Sequence, residues 1–439
     1  MTNISRERRR EIISALRKGT VPQRGLDFLA VGLGRFEPVI TSELADVAQG
    51  GSMFKAVRGD YGCGKTFFGR WVQEYAKKKG FATAEVQISE TETPLHRLET
   101  VYRRAMEQLS TTDTFLGAFR SIVDGWFYGL EEDVLAEGTI DPTDEKSLSK
   151  RADDLLEQRL AEITRSTPQF AAALRAYRTA QRDNDHSTAE GLAGWLAGQP
   201  HVGASVKRAA GIKGDVDHYA ALSFLRGLLL ILKDSGYSGL VLVLDEIETL
   251  QRVRGDVREK GLNALRQLID DIDGGRFPNL YLLTTGTPAF FDGPQGVRRL
   301  EPLAQRLHVD FQTDPRFDNA RAVQLRLSAF DHERLLEVGI KVRDLFASDC
   351  DSPDRIRRLA TDNYIDILAR SVTGKLGGKV GIAPRLFLKK LVSDVLDRID
   401  QFDDFDPTKD YQLTIAQTEM SVIEKETLAQ SVDDIELDP

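Results

Sequence analysis

Gly59-Asp60-Tyr61-Gly62-Cys63-Gly64-Lys65-Thr66 is the stretch that most restricts how this 439-residue chain can fold. It fits G-x-x-x-x-G-K-[ST], a spacing that works on a glycine-rich turn between a strand and a helix. Both neighbours are present. Met53 to Arg58 reads as a short strand, and Phe67 to Lys79 carries Phe67, Phe68, Trp71, Val72, Tyr75 and Ala76 at helical spacing. Gly59, Gly62 and Gly64 free the backbone to curl, so that its N–H groups point inward at an anion. The helix N-terminus adds partial positive charge. The spacing predicts a phosphate cradle from Gly59 to Phe67, with Lys65 reaching the β- and γ-phosphates of ATP and Thr66 offering its hydroxyl to Mg²⁺.

A second signal is Leu240-Val241-Leu242-Val243-Leu244-Asp245-Glu246. An unbroken aliphatic run is the mark of a strand buried on both faces in a parallel sheet. Its two terminal acids predict Asp245 as a Mg²⁺ holder through water and Glu246 as the group that orients or deprotonates an attacking water. Glu248 is a nearby rival for the base, at a spacing that fits less well. Leu280 to Pro288 reads as a further strand ending in small hydroxyls. Thr285 there either hydrogen-bonds the water or γ-phosphate, or shapes a turn.

The rest of the chain supplies the frame. Residues 6–18 read as a charged helix with Ile12, Ile13 and Leu16 on one face, ended by Gly19. Leu26 to Glu37, apolar and glycine-punctuated, either holds adenine or packs as ordinary core. Phe81 to Ile88 is a second strand, followed by a polar loop and a helix, Leu95 to Leu109. From Ser110 to about Asp215 no clear strand occurs. Helical stretches such as Ser147 to Ile163 and Thr167 to Gln181 alternate with polar turns, which predicts a helical insertion, since a simple connection is far shorter. Lys207, Arg208 and Lys213 fit a phosphate contact or a solvated turn, and Trp195 fits the core. Helices are expected over Tyr219 to Lys233 and Lys260 to Ile272. Arg298, Arg299 and Arg306 precede an expected last strand, His308 to Phe311. Phe317 to Leu396 reads as helical, with Gly381-Ile382-Ala383-Pro384-Arg385 starting a helix after a turn holding Lys375 and Lys379.

Formal charge is −9, but Asp397 to Pro439 alone carries −10, so the remainder is close to neutral. The acidic balance therefore argues only weakly against nucleic acid as a partner. The tail's end, Asp433 to Pro439, reads as disordered. Two cysteines without metal-ligand spacing, no leader-like apolar stretch, and a longest apolar run of Leu228 to Leu232 lead to the expectation of a cytoplasmic protein with no membrane span.

Taken together, GDYGCGKT, LVLVLDE, LLTTGTP, EPLAQRL and GIAPR, in that order, resemble the AAA+ ATPases of the origin-recognition and helicase-loader branch. The resemblance implies an α/β fold: a P-loop αβα sandwich with a parallel five-stranded sheet, a helical insertion and a helical lid. It places Thr285 at sensor 1, with Thr284 as the alternative, Arg306 as an arginine finger and Arg385 as the sensor-2 arginine. The implied divisions are 1–109 (N-terminal helix and first half of the core), 110–215 (insertion), 216–315 (second half), 316–400 (lid) and 401–439 (acidic tail). RRREIISALRKGTVPQRGLDFLAVGLGR, GDYGCGKTFF, SETETPLHRLETVYRRAM and GIAPRLFLKKLV look like the BrxD-like ATP-binding proteins of BREX phage-defence systems. That implies an ATP- and Mg²⁺-dependent ATPase, acting as motor or switch beside other defence proteins, with double-stranded DNA and a homo-oligomer as further expectations. Two rivals remain: a helicase-loader-like DNA-binding ATPase outside defence, and a signalling switch that turns over slowly.

Overall fold

The computed structural model of the chain describes residues 4–138, 141, 143–375 and 383–419. Five strands form one parallel sheet: β1 (Met53–Arg58), β2 (Phe81–Gln87), β3 (Gly239–Asp245), β4 (Leu280–Gly286) and β5 (Gln324–Arg326). Their order is β2-β3-β4-β1-β5. With its covering helices this is the α/β sandwich of an AAA+ core. Every residue of β3 and β4 is buried, which is why both read as aliphatic runs without alternation. β2 and β3 run in register from Phe81 opposite Gly239 to Gln87 opposite Asp245. β3 and β4 continue it from Leu240 opposite Leu280 to Leu244 opposite Thr284. The close start of β3 requires glycine: Gly239 has φ +149°, and a Cβ there would lie 2.3 Å from the Asn279 carbonyl oxygen.

The expected strand His308 to Phe311 does not form, and the last strand is β5, inside a stretch expected to be all helix. The reason lies in side-chain use. Phe311 serves as a plate under two guanidiniums, Arg58 at 4.7 Å and Arg326 at 5.0 Å from its ring centroid. Gln324 and Leu325 are buried instead, and the Leu327 N–H donates to the Arg58 carbonyl beyond the end of β1.

The chain divides into two compact units. One comprises residues 41–56 and 75–308. Between β2 and β3 it holds helices Leu98–Glu107, Phe119–Ala136, Glu145–Ser166, Pro168–Arg182, His186–Leu196, Ala204–Ala209 and His218–Asp234. Phe224 fastens several of them together, with Phe170, Trp195 and Tyr102 at ring-centroid distances of 4.9, 5.2 and 6.0 Å. Such edge-to-face contacts add about 0.5–1.5 kcal/mol each beyond area burial. Trp195 is therefore core, and its indole N–H donates to the Gly214 carbonyl. A buried polar group also lies in this unit. Lys55, 1% exposed, pairs with Glu43 at 2.5 Å, and the Tyr281 hydroxyl donates to the other Glu43 oxygen at 2.7 Å. Burial, then the Glu43 charge, pushes the Tyr281 phenol well above its ordinary range.

The second unit comprises residues 1–40, 57–74 and 309–439. Helix Arg6–Lys18 is N-capped by Ser5 and stopped by Gly19 at φ +70°, as its sequence requires. Its apolar face, Ile12, Ile13 and Leu16, lies in one core with Leu335, Val342, Phe387 and Val395 of the C-terminal helices. Arg17 forms a bidentate pair with Asp397, and Arg6 and Arg10 share Asp349. The helix beginning at Ala383 continues through a π-helical stretch, Lys390–Leu396, to Gln401. Leu413 is buried in the same core, with Tyr411 and Ile415 packed against it. The expectations for Lys379 and for Asp433 to Pro439 fall outside the described residues, as does the Lys375 side chain. Among the described residues no helix is long and apolar enough to cross a membrane.

Candidate nucleotide site

The phosphate loop belongs to the unit that contains the C-terminal helices. β1 ends at Arg58, Gly59 to Gly64 turn, and helix Lys65–Lys77 begins at the lysine itself. Gly62 and Gly64 have φ +79° and +95°, conformations that L side chains rarely adopt. A Cβ on Gly59 would lie 2.4 Å from the Cys63 sulfur and 3.1 Å from the Leu327 carbonyl oxygen, so the entry to the turn admits only glycine. Lys65 lies back across the turn. Its Nζ donates to the carbonyls of Gly59 at 3.0 Å and Asp60 at 3.3 Å and rests 5.0 Å from the Tyr61 ring centroid. Thr66 and Phe67 follow in the first helical turn, partly exposed. Burial pushes the Cys63 thiol up to about 11, against the lowering charge of Lys65. That cysteine is therefore a neutral packing group rather than a nucleophile. A curled glycine turn at a helix N-terminus, with a lysine and a threonine at its mouth, fits a nucleotide triphosphate with its metal ion.

Leu26 to Glu37 packs on this loop's helix. The Glu74 carboxylate accepts from the N–H groups of Gly25 and Leu26 at 3.0 and 2.7 Å, and Phe36 meets Phe68 edge-on at 5.4 Å. Leu26, Leu29, Val31 and Phe36 are buried, so the segment is a packing element, whatever else it holds. Phe330 closes on the loop from the C-terminal side, 3.9 Å from where a Gly64 Cβ would stand. Arg385 lies in the first turn of helix Ala383–Lys389, and its guanidinium donates to the Glu419 carbonyl at 2.8 Å.

The acids belong to the other unit. Asp245 is buried at the end of β3, and the Thr285 hydroxyl donates to its Oδ1. The same hydroxyl oxygen accepts from the Glu246 N–H at 3.1 Å. Successive strand residues face opposite ways, and it is Thr285 that meets the acids. The Thr284 hydroxyl is buried with no hydrogen-bond partner among the described residues. Glu246 has φ +61°, a left-handed conformation uncommon for a non-glycine residue, and accepts from Gln87 Nε2 at 2.9 Å. Glu248 is buried in the 3₁₀ turn Ile247–Gln251. Arg306, in helix Glu301–Leu307, pairs with Asp270 at 2.5 Å and also donates to the Pro302 carbonyl.

The structure thus joins Asp245, Glu246 and Thr285, and ties Arg306 and Arg385 to other partners. Sequence reasoning missed Gln87. The available signal was register, since the last residue of β2 lies opposite Asp245 in a parallel pair. It also missed Arg258, whose guanidinium collects the carbonyls of Leu250, Gln251 and Val253 and so clamps the turn after the acids. A search of the curated proteins returned no match. Among protein families, one matches residues 4–415, nearly the whole chain, under the description BREX system ATP-binding protein BrxC/D. The chain therefore belongs to the BrxC/D family of BREX system ATP-binding proteins.

Proposed function

We propose that this protein binds ATP with Mg²⁺ and hydrolyses it, and that turnover drives a conformational step in a BREX defence complex. The observation that carries the reading is the acid pair. Asp245 and the Glu246 backbone are held by one hydroxyl at the end of a buried strand, and the loop that fits phosphates follows another strand of the same parallel sheet. In open parallel sheets ligands bind at the carboxyl ends of strands. In this reading Lys65 and the loop N–H groups of Gly59 to Phe67 bind the phosphates, with Arg385 as a further contact. Thr66 and Asp245 hold Mg²⁺, directly and through water. The ion neutralises phosphate charge when bound. Glu246 accepts the proton of the attacking water, and Thr285 fixes Asp245 and aims Glu246.

The finer assignments are part of the same proposal. Residues 110–215 contact partner proteins or double-stranded DNA, because nothing in ATP chemistry calls for so large an insertion. The core halves 1–109 and 216–315, the lid 316–400 and the tail 401–439 are the remaining divisions. The protein is cytoplasmic and self-associates when it works, with Arg306 entering a neighbouring copy's site. The deciding experiment is ATPase rate with and without double-stranded DNA and BREX partners, for the natural protein and Lys65→Ala. Turnover by folded Lys65→Ala would overturn the proposal.

One set of contacts favours a slow-turnover switch over a free-running motor. Glu246 is engaged by Gln87, Lys65 by loop carbonyls, and Arg306 by Asp270. Each group must exchange a partner before it acts, so basal turnover is expected to be low until a partner or DNA is added.

A further inference from the structure

One helix turn in the C-terminal unit gathers three cations, and all three reach the same residue. Arg385 donates to the Glu419 carbonyl at 2.8 Å. Lys390 Nζ lies 2.9 Å from Glu419 Oε1, and Lys389 Nζ lies 3.6 Å from the same oxygen. The Lys390 side chain is only 6% exposed, so its charge is held in a built, largely dehydrated place. The anions there are Asp394, 3.2 Å from Lys390, and Glu419 itself. With Asp394 counted, the cluster still carries two cations in excess, and Glu419 neutralises one of them.

Glu419 belongs to the tail, which is tied down in steps. Arg355 donates to the carbonyls of Ile399, Phe402, Asp403 and Phe405. The Tyr411 hydroxyl donates to Asp394 at 3.1 Å, Leu413 is buried, and the Ala416 N–H donates to Glu419 Oε2 at 3.0 Å. The last segment therefore reaches the cations as an extended strap with a carboxylate at its tip. Burial would raise the Glu419 carboxyl, but the Lys390 hydrogen bond outweighs it and holds the group below its ordinary range. A carboxylate accepted by an arginine and two lysines uses the same donors that phosphate oxygens use.

We propose that Arg385, Lys389 and Lys390 form a phosphate-binding site that the chain's own Glu419 occupies, so that the Tyr411–Glu419 strap and a phosphate group exclude one another. The phosphate is that of a nucleotide chain or of a nucleic-acid backbone. This goes beyond the ATPase reading and does not depend on it, because the strap and the cations are observed independently of any nucleotide.

The test uses the full chain carrying Lys65→Ala, so that the phosphate loop contributes nothing. Inorganic tripolyphosphate binding is measured by titration calorimetry with and without Glu419→Gln, a nearly isosteric change that removes the charge. Glu419→Gln should tighten tripolyphosphate about tenfold, the scale set by one charge-assisted hydrogen bond. Adding Lys389→Gln or Arg385→Gln should remove the gain. These two residues are more exposed than Lys390, and unchanged thermal unfolding verifies that the variants fold. A short DNA duplex titrated into the same proteins identifies the source: a parallel gain points to backbone phosphate, and a gain with tripolyphosphate alone points to a nucleotide. Equal affinity with and without Glu419→Gln, in folded proteins, overturns the proposal. So does a gain that survives both Lys389→Gln and Arg385→Gln. The Lys65→Ala background keeps this outcome separate from failure of the ATPase reading, which rests on turnover.

Discussion

The conformation of Glu246 gives a prediction that can be worked through in numbers. At φ +61° and ψ 42° it occupies the left-handed region, where a Cβ crowds the following carbonyl. For an L residue that costs about 1–2 kcal/mol. Glycine escapes the cost but surrenders about 0.5–1 kcal/mol more chain entropy on folding than alanine. Replacing Glu246 by Ala keeps the strain and removes the hydrogen bond from Gln87, a loss of about 0.5–1.5 kcal/mol at most for a contact on the exposed side. Replacing it by Gly removes the same bond and the strain together. Glu246→Gly should therefore be more stable than Glu246→Ala by about 0.5–1 kcal/mol, the reverse of the usual order. Of the three tryptophans, Trp126 and Trp195 lie in the unit that holds Glu246, and Trp71 lies in the other. Urea unfolding read by fluorescence in a Trp71→Phe background thus follows the relevant unit. An alanine variant more stable than the glycine variant would refute the strain argument. Both should be inactive in ATP turnover, which would show the strained residue kept for its carboxylate rather than for the fold.

Lys65→Ala should lose nucleotide binding, seen as loss of ATP-dependent thermal stabilisation. Glu246→Gln should bind ATP and lose turnover about 10²-fold or more, with Glu248→Gln as the control that tests the register of the strand end. Glu43→Ala should destabilise by about 3–5 kcal/mol, because it strips the buried Lys55 ammonium of its carboxylate, whereas Glu43→Leu with Lys55→Met should cost far less; equal losses in urea titrations would count against a charge effect. The Cys63 thiol, pushed up to about 11, is neutral below that pH, so its alkylation by iodoacetamide in the folded protein should stay slow at pH 8 and rise only as the pH approaches 11. Mixing inactive Lys65→Ala with inactive Arg306→Ala should restore part of the ATPase rate if Arg306 acts in a neighbouring copy; no recovery in assemblies verified as mixed by mass would argue against that role.

What could be read from the sequence followed from how local each signal was. The phosphate loop is eight consecutive residues whose glycines state their own backbone conformation, and β3 and β4 announce double-sided burial by being aliphatic throughout. Helix Arg6–Lys18 carried its own cap and stop, but its packing partners did not show, since Arg17 and Asp397 are 380 positions apart. β5 was hidden because three residues cannot display a period, and its neighbour Phe311 looked strand-like while serving as a plate for two arginines. The same limit explains Arg306. Its position before the end of the core suggested a group held out for another subunit, yet its charge is already matched by Asp270 on helix Gly255–Asp273. An exposed pair of this kind contributes at most about 1 kcal/mol. A contact that weak does not forbid a second role. It lets Arg306 be withdrawn at low cost when a γ-phosphate from a neighbouring copy offers a stronger partner, which makes the Asp270 pairing compatible with a finger at rest.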